Sequence, residues 1–114
     1  MTKVYKLVSR DAWEAALAAG RFEGAAIDLR DGFIHLSTAA QAPETARLHF
    51  AGQAGLALLK LDAERLGPAL KWEPSRGGQL FPHVYGAIDS ALVEAVTDIA
   101  LARDGTPELG ELEA

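Results

Sequence analysis

Val93-Glu94-Ala95-Val96-Thr97-Asp98-Ile99-Ala100-Leu101-Ala102-Arg103 is the stretch on which the fold class turns. Leu92, Val93, Val96, Ile99 and Ala100 recur at helical spacing, and Ser90 could cap such a helix. Val93, Ala95, Thr97, Ile99 and Leu101 alternate equally well as a long strand. Alanine and leucine content favours the helix, whereas the β-branched Val93, Val96, Thr97 and Ile99 favour the strand. Periodicity leaves both open. Beyond it, Asp104 to Ala114 is acidic and contains glycine, and is expected to be a tail (106–114) loose at its end on a single domain of residues 1–105.

Upstream the pattern is clearer. Val4 to Val8 predicts a strand, Ser9 an N-cap, and Trp13, Ala16, Leu17 and Gly20 a helix with its stop. Arg21 to Arg30 reads as a loop with one brief turn. Asp31-Gly32 then turns into a strand from Phe33 to Ser37. Alternation puts Phe33, His35 and Ser37 on one face and Ile34 and Leu36 on the other. Thr38 and Gln41 have capping-box spacing, and Pro43 suits a first helical turn. A second helix is therefore expected to about Ala51, with Ala42, Ala46 and Phe50 inward and Gly52 closing it. Leu56 to Leu61 is apolar on both faces except at Lys60, the mark of a central strand. Asp62 to Gly67 predicts a capped turn, and Leu70 to Glu73 a strand that Pro74 ends or confines to an edge. Arg76-Gly77-Gly78 is a flexible turn of the kind that forms the lip of a site.

Composition narrows the function. The chain has 114 residues, 49% hydrophobic and 24% charged, which is ordinary for one globular domain. With no cysteine it has no disulfide, thiolate metal ligand or cysteine nucleophile. A net charge of −5 without a Lys/Arg cluster argues against a nucleic-acid surface. The N-terminus enters a strand pattern with no signal core, and no apolar run approaches the roughly 20 residues that span a bilayer. A soluble cytoplasmic protein is expected.

The chemistry gathers in two histidine segments, Asp31-Gly32-Phe33-Ile34-His35-Leu36-Ser37 and Phe81-Pro82-His83-Val84-Tyr85-Gly86. Imidazole can donate, accept or carry charge near neutral pH. His35 could bond a ligand hydroxyl or phosphate with Ser37 beside it; otherwise it is a structural histidine and Ser37 a helix cap. His83 and Tyr85 share a face if Pro82 to Gly86 is extended, and could bind a planar group or shuttle a proton. Gly86 is then the place where a ligand or another chain comes close. Glu73, between Trp72 and Pro74, would gain a raised pKa if the indole desolvated it, and so suit acid–base work. Trp72 itself reads as core rather than ligand platform, and His49 as a surface or helix-end residue. No pair of histidines has local metal-ligand spacing, so no metal is expected. There is no Walker loop, G-x-G-x-x-G or G-x-S-x-G, and Ser37 lacks a visible third group for a nucleophile triad.

Asp31 to Ser37, Gln41, Trp72-Glu73 and Phe81 to Gly86 together resemble a widespread bacterial family of single-domain proteins. That family is catalogued as domain of unknown function number nine hundred fifty-two. The likeness runs from Tyr5 to about Gly105. Some members carry a glutathione-transferase label, which does not suit a chain without a thioredoxin-like βαβ pattern or an all-helical second half. The family is grouped with the ADP-ribosyltransferase-like fold. The resemblance therefore implies an α+β domain of two small antiparallel sheets and two main helices around a nicotinamide-dinucleotide cleft, with Val93 to Arg103 a strand. It implies NAD or a nucleotide as ligand, His35 in the ribose-holding place, and Tyr85 or His83 supplying a ring. Glu73 is a candidate carboxylate, although it precedes Tyr85 and so breaks the order of active relatives. His35, Glu73 and His83 are the catalytic candidates; Ser37, Trp72, Tyr85 and Gly86 are the ligand-binding ones. A non-catalytic nucleotide-binding or small-molecule-binding module with the same pocket is the alternative.

Overall fold

The computed structural model describes residues 2–114. In chain order the elements are β1 (Lys3–Ser9), α1 (Arg10–Ala19), β2 (Arg21–Phe22), α2 (Ala26–Asp31), β3 (Ile34–His35), β4 (Ser37–Thr38) and α3 (Ala42–His49). They are followed by β5 (Leu56–Asp62), β6 (Leu70–Pro74), β7 (Leu80–Val84), β8 (Ile88–Asp89) and β9 (Val93–Ile99). Short 3-10 turns at Ala63–Ala69, Arg76–Gly78 and Ser90–Leu92 join the later strands.

The strands form three antiparallel sheets, ordered β4-β1-β5-β9, β2-β8 and β3-β7-β6. This α+β architecture corrects the expectation of two sheets and two main helices. The additional sheet and helix both arise in Arg21 to Arg30, expected to be a loop. There β2 pairs with β8, and α2 makes a turn and a half starting from Ala25, which offers no side-chain cap. Its cap comes from within, because the Asp28 carboxylate accepts the Ala25 N–H at 2.8 Å.

The first helix forms as its sequence dictates. Ser9 Oγ accepts the Ala12 N–H at 3.0 Å, Asp11 lies in the first turn, and Gly20 closes the helix in the left-handed region. Trp13 and Ala16 are buried, whereas Leu17, which follows them at helical spacing, is exposed. Replacing Ser9 with Ala is expected to cost about 1 kcal/mol in chemical unfolding. A cost near zero would mean that tertiary packing, and not the cap, holds this end.

β5 is the central strand of the large sheet and serves two cores. Ala57, Leu59 and Leu61 pack with Val4, Val8, Trp13, Phe22, Ile34 and Val84 on one face. Leu56 and Leu58 pack with Tyr5, Leu7, Ala42, Ala46 and Ile99 on the other. Each fully buried leucine contributes about 1.5–3 kcal/mol of transfer free energy.

Val93–Ile99 is a strand, paired to β5 along its length. Its helical spacing has a physical origin. The register skips a residue between Lys60 and Leu61, so Val93 faces Leu61 and Val96 faces Leu59 with Glu94 extra between them. The bulge puts two residues three apart on one face, while Ile99, opposite Leu56, turns to the other core. The strand stops at Ile99 rather than Arg103; a bridge between Leu101 and Pro107 then folds the chain back.

The acidic tail, expected to be loose, is docked. Leu109 and Leu112 pack on the second core, Tyr5 donates its hydroxyl to the Glu113 carbonyl at 2.5 Å, and Lys60 pairs with the Glu113 carboxylate. Among the described residues no helix is long and apolar enough to cross a membrane.

Candidate functional site

The segment Phe33 to Ser37 is extended throughout but divides between two sheets. β3 pairs with β7, so that Ile34 faces Val84 and His35 faces His83. Leu36 donates its N–H to the Pro82 carbonyl at 3.0 Å, and β4 then crosses to pair with β1. Alternation survives the crossing. Ile34 and Leu36 are buried in the first core, and Phe33, His35 and Ser37 emerge on the opposite face.

That crossing opens a cavity of about 440 Å³ between the two sheets, floored by β1 and roofed by α3 and the turn after β6. His35, His83, Ser37, Thr45 and Arg76 supply its polar groups, and Leu36, Leu58 and Phe81 belong to its apolar wall. The two histidines far apart in sequence thus meet as cross-strand partners, their ring centroids 5.4 Å apart and edge to face. Phe33 stacks on His83 at 4.2 Å and touches the His35 and Tyr85 rings at 4.6 and 5.2 Å.

Each histidine is set by a carboxylate. His83 is only 4% exposed, and its Nδ1 lies 2.8 Å from Glu73 Oε1, which also accepts the Tyr85 hydroxyl at 2.8 Å. Hydrogen bonds from His83 first, and from Tyr85, hold the Glu73 carboxyl below its ordinary pKa. This reverses the expectation of a raised value: Trp72 points to the other face of β6, is 40% exposed, and desolvates nothing at Glu73. An ionised Glu73 requires Nδ1 to be the donor, which leaves Nε2 as the acceptor. No buried side-chain nitrogen or oxygen among the described residues lacks a partner, so Nε2, which has none in the protein, is reached by solvent, and His83 is one of the residues that line the cavity.

His35 is held at both nitrogens. Nδ1 lies 2.7 Å from Asp28 Oδ1, and Nε2 lies 3.0 Å from Asp31 Oδ2. A ring that donates at both positions carries two protons; with one proton it keeps only one of these contacts. Asp28 is the hub. It is 2% exposed, accepts the His35 backbone N–H at 3.1 Å, and lies 3.1 Å from the Lys6 ammonium, which also donates to the His35 carbonyl at 2.9 Å. Burial opposes the charge on Asp28. Lys6 and the hydrogen bonds from Ala25 and His35 outweigh it and hold the carboxyl below the usual range. Burial in turn pulls the Lys6 ammonium down against the attraction of Asp28. Gly24 makes room for this hub: a Cβ there would lie 2.9 Å from Asp28 Cβ, at a φ of +120°.

The remaining expected site residues fall unevenly. Ser37 lines the cavity and pairs with Thr45 Oγ1 at 3.1 Å rather than capping α3. Thr38 and Gln41 bond each other in the turn before α3, Gln41 Oε1 accepting the Thr38 N–H at 3.1 Å and Thr38 Oγ1 the Gln41 N–H at 3.2 Å, while Gln41, the N-cap of α3, makes no side-chain cap bond to the helix. Tyr85 is 42% exposed and lies outside the cavity wall, behind Glu73. Trp72, read as core, is an exposed residue away from the cavity. Gly86 is also outside it; a Cβ there would meet nothing within 4 Å, so its φ of +136°, and not a close approach, is what requires glycine. His49 ends α3 at the cavity's edge. No grouping of three or more His, Asp or Glu suited to a metal ion occurs among the described residues.

Lys6, Asp28 and Thr45 were not site candidates from sequence, and Arg76 was read only as part of a glycine turn at the lip of a site. Lys6 carried a signal, since Val4, Lys6 and Val8 share the inward face of a strand and a lysine there needs a buried partner. Asp28 and Thr45 carried none.

Such a molecule is a small α+β domain with a histidine-lined cavity between two antiparallel sheets. The chain belongs to the family described as a protein of unknown function (DUF952), whose model matches residues 7–96. It is similar to the crystal structure of protein CC0527 from Caulobacter crescentus, at 55% identity over 95% of each chain and a TM-score of 0.93. It is also similar to the solution NMR structure of that protein, at 55% identity over 96% of this chain and 95% of the other, with a TM-score of 0.87. No curated protein matches.

Proposed function

We propose that this protein binds a small molecule of nucleotide type in the cavity between its sheets. The observation that carries the reading is the convergence of His35, His83 and Ser37 on one side of an otherwise largely apolar cavity of about 440 Å³. Ligand sites typically measure ~300–1,000 Å³ and combine apolar walls with a few placed polar groups. A cavity in the lower part of that range suits one nucleotide-sized moiety of NAD better than the whole dinucleotide. The resemblance to ADP-ribosyltransferase-like proteins supplies NAD as the first ligand to test. Two features favour binding over ADP-ribosyl transfer. His35 Nδ1 is taken up by the buried Asp28 while Nε2 lies 3.0 Å from Asp31, and Glu73 stands behind His83 instead of facing the cavity.

A second reading, acid–base catalysis, is favoured by the Glu73–His83 pair. Nε2 of a ring fixed in this tautomer can take the proton of a ligand hydroxyl, and the ionised Glu73 stabilises the resulting imidazolium. Here His83 is the catalytic residue and Glu73 its positioning residue.

The test is titration of the ¹⁵N-labelled protein with NAD and with nicotinamide to millimolar concentration. Saturable shifts are expected at the amides of His35, Ser37 and His83, and His83→Gln should weaken them about tenfold, as loss of one well-placed hydrogen bond does. No perturbation at those amides would overturn the nucleotide reading. Release of free nicotinamide that is lost in His83→Gln would establish the catalytic reading; silence would leave the binding module.

A further inference from the structure

We infer that Arg76 forms an oxyanion subsite in this cavity, so that the ligand class is one bearing a phosphate or carboxylate. The inference deepens the small-molecule reading of the same cavity and rests on it. Arg76 lies in the turn between β6 and β7 and lines the cavity. Its guanidinium is held in place by two contacts, neither of which neutralises it. Nη1 donates to Thr45 Oγ1 at 3.2 Å, and the guanidinium carbon lies 5.0 Å from the centre of the Phe81 ring. Thr45 is itself fixed, donating its hydroxyl to the Gln41 carbonyl at 3.2 Å and pairing with Ser37 Oγ at 3.1 Å. Among the described residues Arg76 has no carboxylate within ion-pair distance.

The buried cation at this cavity, Lys6, is spent differently, since it is matched by Asp28. A guanidinium has five N–H donors in a rigid planar fork, and Arg76 uses one of them within the protein. The Phe81 ring 5.0 Å from the guanidinium carbon takes up none of the remaining donors. A preset, unneutralised fork with free donors is what binds a phosphate or carboxylate in bidentate fashion.

The experiment compares nicotinamide mononucleotide with nicotinamide riboside, which differ by one phosphate, and adds inorganic phosphate and acetate alone, all at constant ionic strength. The protein's net charge of −5 offers no general attraction for anions, so a saturable response reports a site. Phosphate is expected to shift the amides of Ser37, Thr45 and Arg76, and the mononucleotide to bind about tenfold or more tighter than the riboside, as a charge-assisted hydrogen bond implies. Arg76→Met, which keeps the apolar stem, should abolish both effects, and Arg76→Lys, which keeps the charge without the fork, should restore them in part. A larger response to acetate than to phosphate would assign the subsite to carboxylates. Equal binding of mononucleotide and riboside, unaffected by Arg76→Met, would overturn the subsite while leaving the pocket reading intact. An Arg76-dependent phosphate response with no binding of either nicotinamide compound would keep the subsite and overturn the nucleotide reading.

Discussion

Asp28→Ala is expected to destabilise the protein by about 3–5 kcal/mol, the cost of leaving a buried charge without its partner. The Lys6 ammonium would lose the carboxylate 3.1 Å away. The Ala25 and His35 backbone N–H groups would lose their acceptor in the same substitution. In a domain of this size the loss corresponds to a fall in Tm on the order of 10–20 °C. The double variant Lys6→Met/Asp28→Leu removes both charges and should recover part of the loss, but not the capping of those two N–H groups. If Asp28→Ala cost no more than an exposed aspartate, Asp28 would not be the hub that its contacts describe.

The same group sets an acid limb. Because the folded protein holds the Asp28 carboxyl below its unfolded value of about 3.9, the contribution is fully present above that pH. It is lost as pH falls through the folded value. Between pH 7 and pH 5 the wild type should therefore keep its advantage over Asp28→Asn, and below about pH 4 the two unfolding curves should converge. A gap that stayed constant down to pH 2 would contradict the linkage.

Leu59→Ala is expected to cost about 3–4 kcal/mol, whereas Leu58→Ala, one residue away on the same strand, should cost about 1–2 kcal/mol less. Both leucines are buried, at 2% and 5% exposure. Leu59 is enclosed by the first core, so its removal leaves a void that neighbours fill poorly. Leu58 already borders the cavity between the sheets, where one side has no packing partners to lose. Urea unfolding with an unchanged m-value would report both. Equal costs would mean that the cavity closes around Leu58 in solution.

Much of the local structure was legible because its causes are local. The Ser9 cap, the Gly20 stop, the Thr38–Gln41 pair and the two-sided apolar run of β5 depend on neighbours within a few residues. The inward–outward alternation of Phe33 to Ser37 was legible for the same reason. So was the placing of the two histidine segments on strands. Helix α2 was not, because its cap is supplied by an aspartate whose position depends on Lys6 and His35. The Val93–Ile99 strand imitated a helix because a bulge opposite Lys60 and Leu61 shifts its inward residues to three apart.

Within the site, the residues that carry charge were the hardest to foresee. Glu73 looked like a group desolvated by Trp72 and is instead a carboxylate held low by His83 and Tyr85, since adjacent strand residues point to opposite faces. Sequence by itself determined the alternation of Phe33 to Ser37, where the first helix begins and stops, and that two imidazoles stand on extended chain. Only the tertiary structure decided that those imidazoles become register partners across β3 and β7 and that each is locked by its own carboxylate. Backbone preferences act over a few residues, whereas the pairing of distant strands is set by how two whole cores pack, and that pairing places charge against charge.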